Sequence, residues 1–502
     1  MFRNIIRKNN LNLGNVAANI VARMSSICLN IAAVPLLVEY LGFEAYGVIG
    51  FYNVVIAVVA LLEVGLPLAI NRAVAQFSSS DDDGVEISKV IKSFEFILGS
   101  MAILIALAWM LCSQFISESW LVSETNNSLD IVGAVFLIGI LVGFRFPIGL
   151  YTSVLGGLQK QVIMNLLIII FSWLRICIPL LAVAMLDFSL VEFLELQIWV
   201  SAAELIIFRN VAWSSHCKFD RKASFSIALV VREGKLAISI GAMAAIAVII
   251  GQLDKIMVSG LIELEMFGFY TIAAMFGLAL ITLGYPFSSA VFPQFSQAFQ
   301  NSDNEKIRQL FHSYMSIFIP CLFALSAPLL MYTSDILNLY LLGETVTDTQ
   351  VKLTQLFVTG GVFAGILSLP NSLIIASGNL NALIRYNLGT LLTYPVILYW
   401  LIAQFGAVGA ALSFSVYQGV SCFAIILISN RLSRISKLYL IFGRYFLLPT
   451  LVCFCVTVFI SSIFSRVEFS IVVEIALYVI LIFTILIAVM FVNRSKDVLT
   501  KA

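Results

Sequence analysis

Charged side chains are scarce in this sequence, and histidine is almost absent. Asp, Glu, Lys and Arg make up 11% of the 502 residues, whereas they make up about a quarter of a soluble globular protein. Hydrophobic residues make up 61%, and so few polar side chains cannot cover a water-exposed surface of this size. The composition therefore excludes a soluble globular chain and indicates a protein that is surrounded by lipid.

The sequence also lacks the motifs of the common enzyme classes. Its two histidines, His216 and His312, lie far apart, and there is no phosphate-binding loop, no glycine-rich dinucleotide turn and no nucleophile elbow. All eight cysteines except Cys217 lie in apolar stretches, without the spacing of a metal site or a disulfide framework. We therefore expect no enzyme activity, no cofactor and no metal site.

Long apolar runs recur along the chain, separated by short polar breaks. A helix needs about 20 apolar residues to cross the hydrocarbon core of a bilayer. The first ten residues are polar and basic, and the apolar run behind them is too long for a signal peptide, so it is expected to remain a span. We predict an all-α polytopic membrane protein with about fourteen transmembrane helices, at 15–39, 46–72, 90–113, 130–155, 161–186, 190–209, 235–258, 266–298, 312–340, 353–377, 381–403, 406–429, 438–463 and 469–492.

The positive charges of the loops alternate between the two sides of this arrangement. Most of the 29 Lys and Arg residues fall in the loops of one side, and the opposite loops hold only Lys352 and Arg466. Cytoplasmic loops collect Lys and Arg. The alternation therefore supports the span count and predicts that both termini are cytoplasmic.

An internal repeat divides the spans into two sets of six. Glu44–Gly47 opens the second span as Glu265–Gly268 opens the eighth, and Gly65–Leu68 corresponds to Gly284–Phe287 later in the same spans. Because six is an even number, both copies enter the membrane from the same side, which predicts parallel halves with a site between them. We predict an N-terminal six-helix bundle over 1–230, a C-terminal six-helix bundle over 231–430, and an additional helix pair with a cytoplasmic tail over 431–502.

Arginines within the spans are the main candidates for a functional site. An ionisable group there costs roughly 2.5–3.5 kcal/mol on insertion scales and usually faces a partner or a water-filled cavity. Arg23 shares a polar helical stripe with Asn19 and Asn30, and Arg145 and Arg175 lie near the predicted midplane. We predict that these five residues line a substrate-binding cavity. The alternative is structural: polar stripes that hold helices together, and arginines that pair with carboxylates.

Two acidic residues within the spans are candidates for ion coupling. Glu63 lies in the second predicted span, and Asp254 lies in the seventh, next to Lys255. A buried carboxylate can carry a proton or bind sodium, and it can also simply pair with a neighbouring cation. We predict Glu63, Asp254 and Lys255 as ion-coupling residues, with a structural Asp254–Lys255 pair as the alternative.

Two segments resemble the polysaccharide-export branch of the multidrug/oligosaccharidyl-lipid/polysaccharide (MOP) flippase superfamily. The first carries Leu41-Gly42, Tyr46-Gly47 and Glu63-Val64-Gly65-Leu66, with Ala69 and Arg72. The second carries Gln252-Leu253-Asp254-Lys255, followed by Phe267-Gly268-Phe269-Tyr270. The length, the span count and the repeat agree with that superfamily, whose fold is a pair of six-helix bundles.

Within this superfamily the chain is most similar to O-antigen flippases of the Wzx type. The resemblance implies a multi-pass protein of the bacterial inner membrane that moves undecaprenyl-pyrophosphate-linked repeat units from the cytoplasmic to the periplasmic leaflet by alternating access. It implies membrane lipid and the polymerase and chain-length regulator of the same pathway as further partners, and no nucleic acid.

Three other functions stay open. A flippase of the peptidoglycan precursor lipid II has a cargo of similar charge. A cation-coupled drug exporter usually carries cationic cargo and would need an acidic cavity, against which the three arginines argue. An integral-membrane glycosyltransferase or O-antigen polymerase commonly carries a large periplasmic loop, whereas every predicted outer loop here is short.

Overall fold

The computed structural model describes residues 13–78, 84–121, 130–216, 219–220, 222–343 and 346–433. These residues form helices and short connections and contain no β-strand, which confirms the all-α prediction. The helices are α1 (Leu13–Val59), a 3₁₀ turn (Ala60–Glu63), α2 (Leu66–Ser78), α3 (Val85–Ser119), α4 (Ile131–Arg145), α5 (Ile148–Gly157), α6 (Gln161–Leu186), α7 (Leu190–Ser214), α8 (Ile227–Leu261), α9 (Leu264–Thr282), α10 (Gly284–Gln300), α11 (Asn304–Met331), α12 (Thr333–Tyr340), α13 (Asp348–Ala376) and α14 (Leu380–Ser433).

Helices cover each of the first twelve predicted spans. Two of them contain two spans, because α1 continues through a kink at Gly42 and α14 through a kink at Gly406, both with positive φ. Nine helical segments of the described residues are long and apolar enough to cross a membrane. The predicted spans 438–463 and 469–492 lie outside the described residues, so the count of fourteen stays a prediction.

Four predicted spans are each broken into two helical segments, and the ninth of the predicted spans breaks at Tyr332, between α11 and α12. The second breaks before Gly65, whose φ of 89° favours glycine, and the eighth breaks before Gly284. The fourth breaks between α4 and α5 at Pro147, which has no backbone N–H to continue the helix. Discontinuous helices within a membrane expose backbone ends, and transporters use such ends at their binding sites.

The chain divides into two compact units, the first ending at Gly268 and the second beginning at Phe269. The first unit has a buried core that includes Phe94, Leu150, Phe171 and Phe208, and α8 packs there against α1, α2 and α3. The core of the second unit is formed by α9, α10, α11, α13 and α14. The predicted boundaries near residues 230 and 430 separate the repeated sets of spans and are a different division from these compact units. They stay a prediction.

The first repeat motif packs against the start of the second within the first unit. A side chain at Gly47 would meet the backbone oxygen of Leu264, and one at Gly268 would meet the backbone oxygen of Phe43. Each glycine thus touches the residue four places before the other glycine. The two motifs were paired by sequence similarity, and in the structure they contact each other through equivalent residues on both sides.

Large apolar side chains are exposed on helices of both units. Leu111 of α3 is 85% exposed, Met185 of α6 is 78% exposed and Leu392 of α14 is 77% exposed. In water such exposure would be costly. These faces are suited to contact lipid, as the composition predicts.

Glu95 of α3 connects three helices of the first unit through one carboxylate. Its Oε1 accepts hydrogen bonds from Tyr151 Oη at 2.8 Å, Arg209 Nε at 2.5 Å and Trp213 Nε1 at 3.3 Å. Its Oε2 pairs with Lys92 Nζ at 3.3 Å. Because α5 and α7 both meet α3 at this carboxylate, Glu95 is a structural anchor.

We predict that Glu95→Ala destabilises the protein, because it leaves the donors of Tyr151, Arg209 and Trp213 without their shared acceptor. The expected loss is about 2–3 kcal/mol, measured as a lower Tm in detergent and less protein in the membrane. Glu118→Ala is the control, since Glu118 is an exposed acid of the same helix whose described bond joins it only to Gln114. Equal Tm values for the two variants would show that Glu95 is not an anchor.

Candidate functional site

Arg145 and Arg175, two of the three predicted cavity arginines, meet in the first unit. Arg175 of α6 forms an ion pair with Glu204 of α7, and its Nη2 lies 3.5 Å from Ser172 Oγ. Arg145, at the end of α4, donates from Nη1 to Tyr52 Oη of α1 at 3.0 Å. The two guanidinium groups interact electrostatically with each other and with Glu204. We call Tyr52, Arg145, Arg175 and Glu204 the arginine cluster.

Helix packing and a helix end place these side chains. α4 ends at Arg145, two residues before Pro147, and the unpaired carbonyl groups of a helix C-terminus favour a cation. α7 packs against both α4 and α6, which brings Glu204 into an ion pair with Arg175 and within electrostatic range of Arg145. The side chains of the ion pair are buried, with 14% exposure for Arg175 and 5% for Glu204.

The arginine cluster has one positive charge in excess. A guanidinium group stays protonated in proteins, and two such groups share the Glu204 carboxylate. Among the described residues, no other carboxylate forms an ion pair with Arg145 or Arg175. A partly compensated buried cation is costly, and an anionic ligand would compensate it.

The other cavity residues lie along α1. Asn19 accepts a hydrogen bond from Asn165 Nδ2 of α6 and donates to Gln161 Oε1 at 3.0 Å. Asn30 donates to the Ser26 carbonyl of its own helix at 2.7 Å. The polar stripes of α1 and α6 therefore meet at Asn19, as helix–helix contacts do, while Asn30 is occupied locally.

Arg23 is exposed on the segment of α1 that precedes the Gly42 kink. Asn19 pairs with Asn165, and Trp173 Nε1 donates to Ser25 Oγ at 2.9 Å, so Arg23 lies at a level between Asn165 and Trp173. The contacts that define the arginine cluster do not include Arg23.

Glu63 lies at the break between α1 and α2. Its side chain is half-buried, and its Oε2 faces Gly149 in the first turn of α5, where a side chain in place of the glycine would collide with it. The helix N-terminus favours a negative charge there. Within the described residues the carboxylate has no hydrogen bond and no ion pair, so it is available for a proton or a cation.

Asp254 and Lys255 form an ion pair on α8, with 3.4 Å between Nζ and Oδ1. Asp254 is buried, with 2% of its surface exposed, whereas a quarter of the Lys255 side chain is exposed. The structure thus contains the pair that the sequence offered as the structural alternative, while the coupling role of both residues stays a prediction.

An apolar cavity of about 230 Å³ lies among α1, α3 and α8. Its one hydroxyl, that of Ser259, accepts a hydrogen bond from Trp120 Nε1 at 3.1 Å. Such a lining suits a hydrocarbon group and offers nothing to a sugar. It is formed by Phe51, Val54, Val55, Val58, Val59, Trp109, Ile116, Trp120, Ile256 and Ser259.

The sequence-based site omits Glu204 and Tyr52. A signal for Glu204 is present, because Gln197, Ser201 and Glu204 are spaced four and three residues apart and all three are buried on one face of α7. Tyr52 gives no comparable signal, since tyrosine is common in apolar helices, although its hydroxyl accepts a hydrogen bond from Arg145 and interacts electrostatically with Arg175.

We predict that the two cluster arginines differ in their effect on stability. Arg175→Ala removes the direct partner of a buried carboxylate and should cost about 3 kcal/mol. Arg145→Ala removes one hydrogen bond to a neutral hydroxyl, which should cost about 1 kcal/mol. Tm in detergent and the amount of protein in the membrane measure both. A loss for Arg145→Ala that equals or exceeds the loss for Arg175→Ala would contradict this assignment.

Comparisons with known proteins agree with the fold and the sequence motifs. The polysaccharide biosynthesis protein family matches residues 13–299. A Shigella flexneri protein named "Putative O-antigen transporter" is 25% identical over 400 residues, which cover 76% of this chain and 91% of that protein.

Two solved structures show the same fold. The lipid II flippase MurJ, in an inward closed conformation, aligns with a TM-score of 0.72 at 15% identity over 95% of this chain and 99% of that one. An inward-facing multidrug resistance MATE family transporter of the MOP superfamily aligns with a TM-score of 0.67 at 14% identity over 85% and 99%.

These matches confirm the resemblance that the sequence motifs carry. The relatives are transporters and flippases, not catalytic enzymes, and the many apolar helices mark a multi-pass membrane protein. Since the family match covers more than half of the residues, the chain belongs to the polysaccharide biosynthesis protein family.

Proposed function

We propose that this protein is a flippase for undecaprenyl-pyrophosphate-linked oligosaccharides, the O-antigen repeat units. In this proposal it moves them by alternating access from the cytoplasmic to the periplasmic leaflet of the bacterial inner membrane, with both termini in the cytoplasm. The observation that carries the proposal is the excess positive charge of the arginine cluster. The sequence similarity to an O-antigen transporter supports the same cargo.

The chemistry of the cargo matches the cluster. A pyrophosphate presents several anionic oxygens, and arginine binds such groups with two parallel hydrogen bonds. Arg145 makes one described hydrogen bond, to Tyr52, so most of its five N–H donors are available for phosphate oxygens. The apolar cavity offers a surface of the kind that a polyprenyl chain prefers.

A drug exporter with cationic cargo is a poorer candidate, because the cluster repels cations. The second candidate is a lipid II flippase, since the same polyprenyl pyrophosphate anchor would satisfy the same arginines. The O-antigen cargo is preferred because the protein named "Putative O-antigen transporter" aligns with this chain over 91% of its own length.

Arg145 is the best position for a test of cargo binding, because its loss should disturb the fold least. In a strain that lacks the chromosomal gene, we expect Arg145→Ala to reach normal membrane levels but to lose surface polysaccharide roughly tenfold or more, as removal of one buried charge-assisted contact would. Arg145→Lys should retain part of it, because lysine keeps the charge without the planar fork.

The control is Arg385→Ala, which removes an exposed arginine bonded to the Asn381 carbonyl of its own helix. Normal polysaccharide in the Arg145→Ala strain would overturn the proposal for the cluster. Rescue of a strain depleted of its lipid II flippase would favour the second candidate instead.

We further propose that Glu63 couples transport to an ion, with Asp254 and Lys255 as a second candidate pair. Glu63 has no partner among the described residues, whereas Asp254 is already neutralised by Lys255. Glu63→Gln should therefore lower transport at normal protein level, and Asp254→Asn should have a smaller effect on transport at equal protein. Glu118→Gln is the matched exposed control, and surface polysaccharide per unit of membrane protein is the measurement. If transport survives in both variants, neither carboxylate is the coupling site.

A further inference from the structure

Glu204 occupies the position on Arg175 that an anionic ligand would take. Its carboxylate forms the ion pair with Nη1 of Arg175 and lies within electrostatic range of Arg145. We propose that Glu204 is a resident counter-ion that the cargo phosphate displaces, and that the displaced carboxylate takes up one proton from solvent. This inference rests on the proposed function, because it describes how the same site responds when the cargo binds.

The geometry makes the two anions compete for Arg175. A phosphate that binds both arginines approaches the guanidinium group of Arg175, whose Nη1 already donates to Glu204. If Glu204 kept its charge beside the phosphate, two anions would repel each other where little water screens them. Protonation removes this repulsion, since the carboxylate gains H⁺ and becomes a neutral acid with one O–H donor.

Ser201 provides a place for the displaced group. Its Oγ is fully buried and has no hydrogen-bond partner among the described residues. It lies three residues before Glu204 on α7, and residues at this spacing are neighbours on a helix surface. The neutral carboxyl can therefore turn from Arg175 and donate its O–H to Ser201 Oγ, which satisfies an atom that is otherwise unpaired.

The charged and titratable groups around Glu204 are few. α6 presents Arg175, α4 presents Arg145, and α1 presents Tyr52, which accepts a hydrogen bond from Arg145 and also interacts electrostatically with Arg175. α5 also packs against α7, but its Tyr151 donates to Glu95 and is occupied there. Among the described residues of the arginine cluster, Glu204 is therefore the one carboxylate that can take up a proton when the phosphate binds.

A resident carboxylate also selects among anions. A monovalent anion gains little by replacing an equally charged group that is already tethered to the site. A pyrophosphate spreads its charge over two linked phosphate groups and can therefore bridge both arginines, which a carboxylate or a single phosphate group does less well. The cluster is thus expected to discriminate pyrophosphate-linked lipids from carboxylates and monophosphate esters.

The test measures proton uptake when a polyprenyl pyrophosphate binds. The probe is farnesyl pyrophosphate, titrated into the full-length protein in nanodiscs by calorimetry, in two buffers of different ionisation enthalpy, between pH 7.5 and 8.5. For the wild type we expect uptake of about one proton and a Kd that rises by up to about tenfold over this unit of pH. Farnesyl monophosphate should bind more weakly.

Glu204→Gln should bind the probe more tightly than the wild type at pH 8.5, without proton uptake and with a Kd independent of pH. Glu204→Asp, whose shorter side chain weakens the pair, should bind more tightly while it retains the uptake. Ser201→Ala should bind more weakly with the uptake intact. Glu118→Gln is the control and should behave as the wild type, and Tm values establish that each variant is folded.

The outcomes separate the inference from the proposed function. If Glu204→Gln binds the probe with the same proton uptake and pH dependence as the wild type, Glu204 is not the exchanging group. If Glu204→Gln does not fold, a Glu204→Asp variant that binds no more tightly than the wild type overturns the inference. If neither the wild type nor any Glu204 variant binds the probe, the cluster is not a pyrophosphate site and the proposed function fails with it.

Discussion

Two guanidinium groups that share one carboxylate determine how the centre of the first unit is arranged. A buried arginine cannot give up its charge, so the helices around it must supply negative groups or neutral acceptors. α7 supplies Glu204 to Arg175, and α1 supplies only the Tyr52 hydroxyl to Arg145. Four helices thus contribute side chains to a cluster that is short of negative charge, and this shortage makes the cluster receptive to an anion.

The Glu95 network has the opposite balance. There one carboxylate accepts from Tyr151, Arg209 and Trp213 and pairs with Lys92, so its capacity is filled. A fully satisfied polar network rigidifies the helices that it joins. A partly satisfied network has unpaired donors or uncompensated charge, which a ligand can satisfy when it binds. The first unit therefore holds a fixed anchor and a responsive cluster, both built from arginine and glutamate.

Much of the fold could be predicted from the sequence, because lipid imposes a simple length rule on apolar runs. The breaks at Gly65 and Pro147 also have local causes, a positive φ and a missing N–H. Arg145 and Arg175 could be predicted because a charge in an apolar run is conspicuous. Their partners could not, since pairing depends on how each helix is rotated about its axis and on which helices are neighbours. Glu204 lies near the end of its predicted span, where an acid is typical of the membrane interface, and only its alignment with Gln197 and Ser201 indicates a buried position.

The close contact at Gly47 and Gly268 explains why the two repeat motifs can still be recognised in the sequence. At most positions of a helix a change of side chain can be offset by its neighbours, and two related helices drift apart in sequence. Here backbone lies on backbone, at Leu264 on one side and Phe43 on the other, so a neighbouring side chain cannot make room for a methyl group. The close approach of two backbones therefore accounts for the glycine at matching positions of the two motifs.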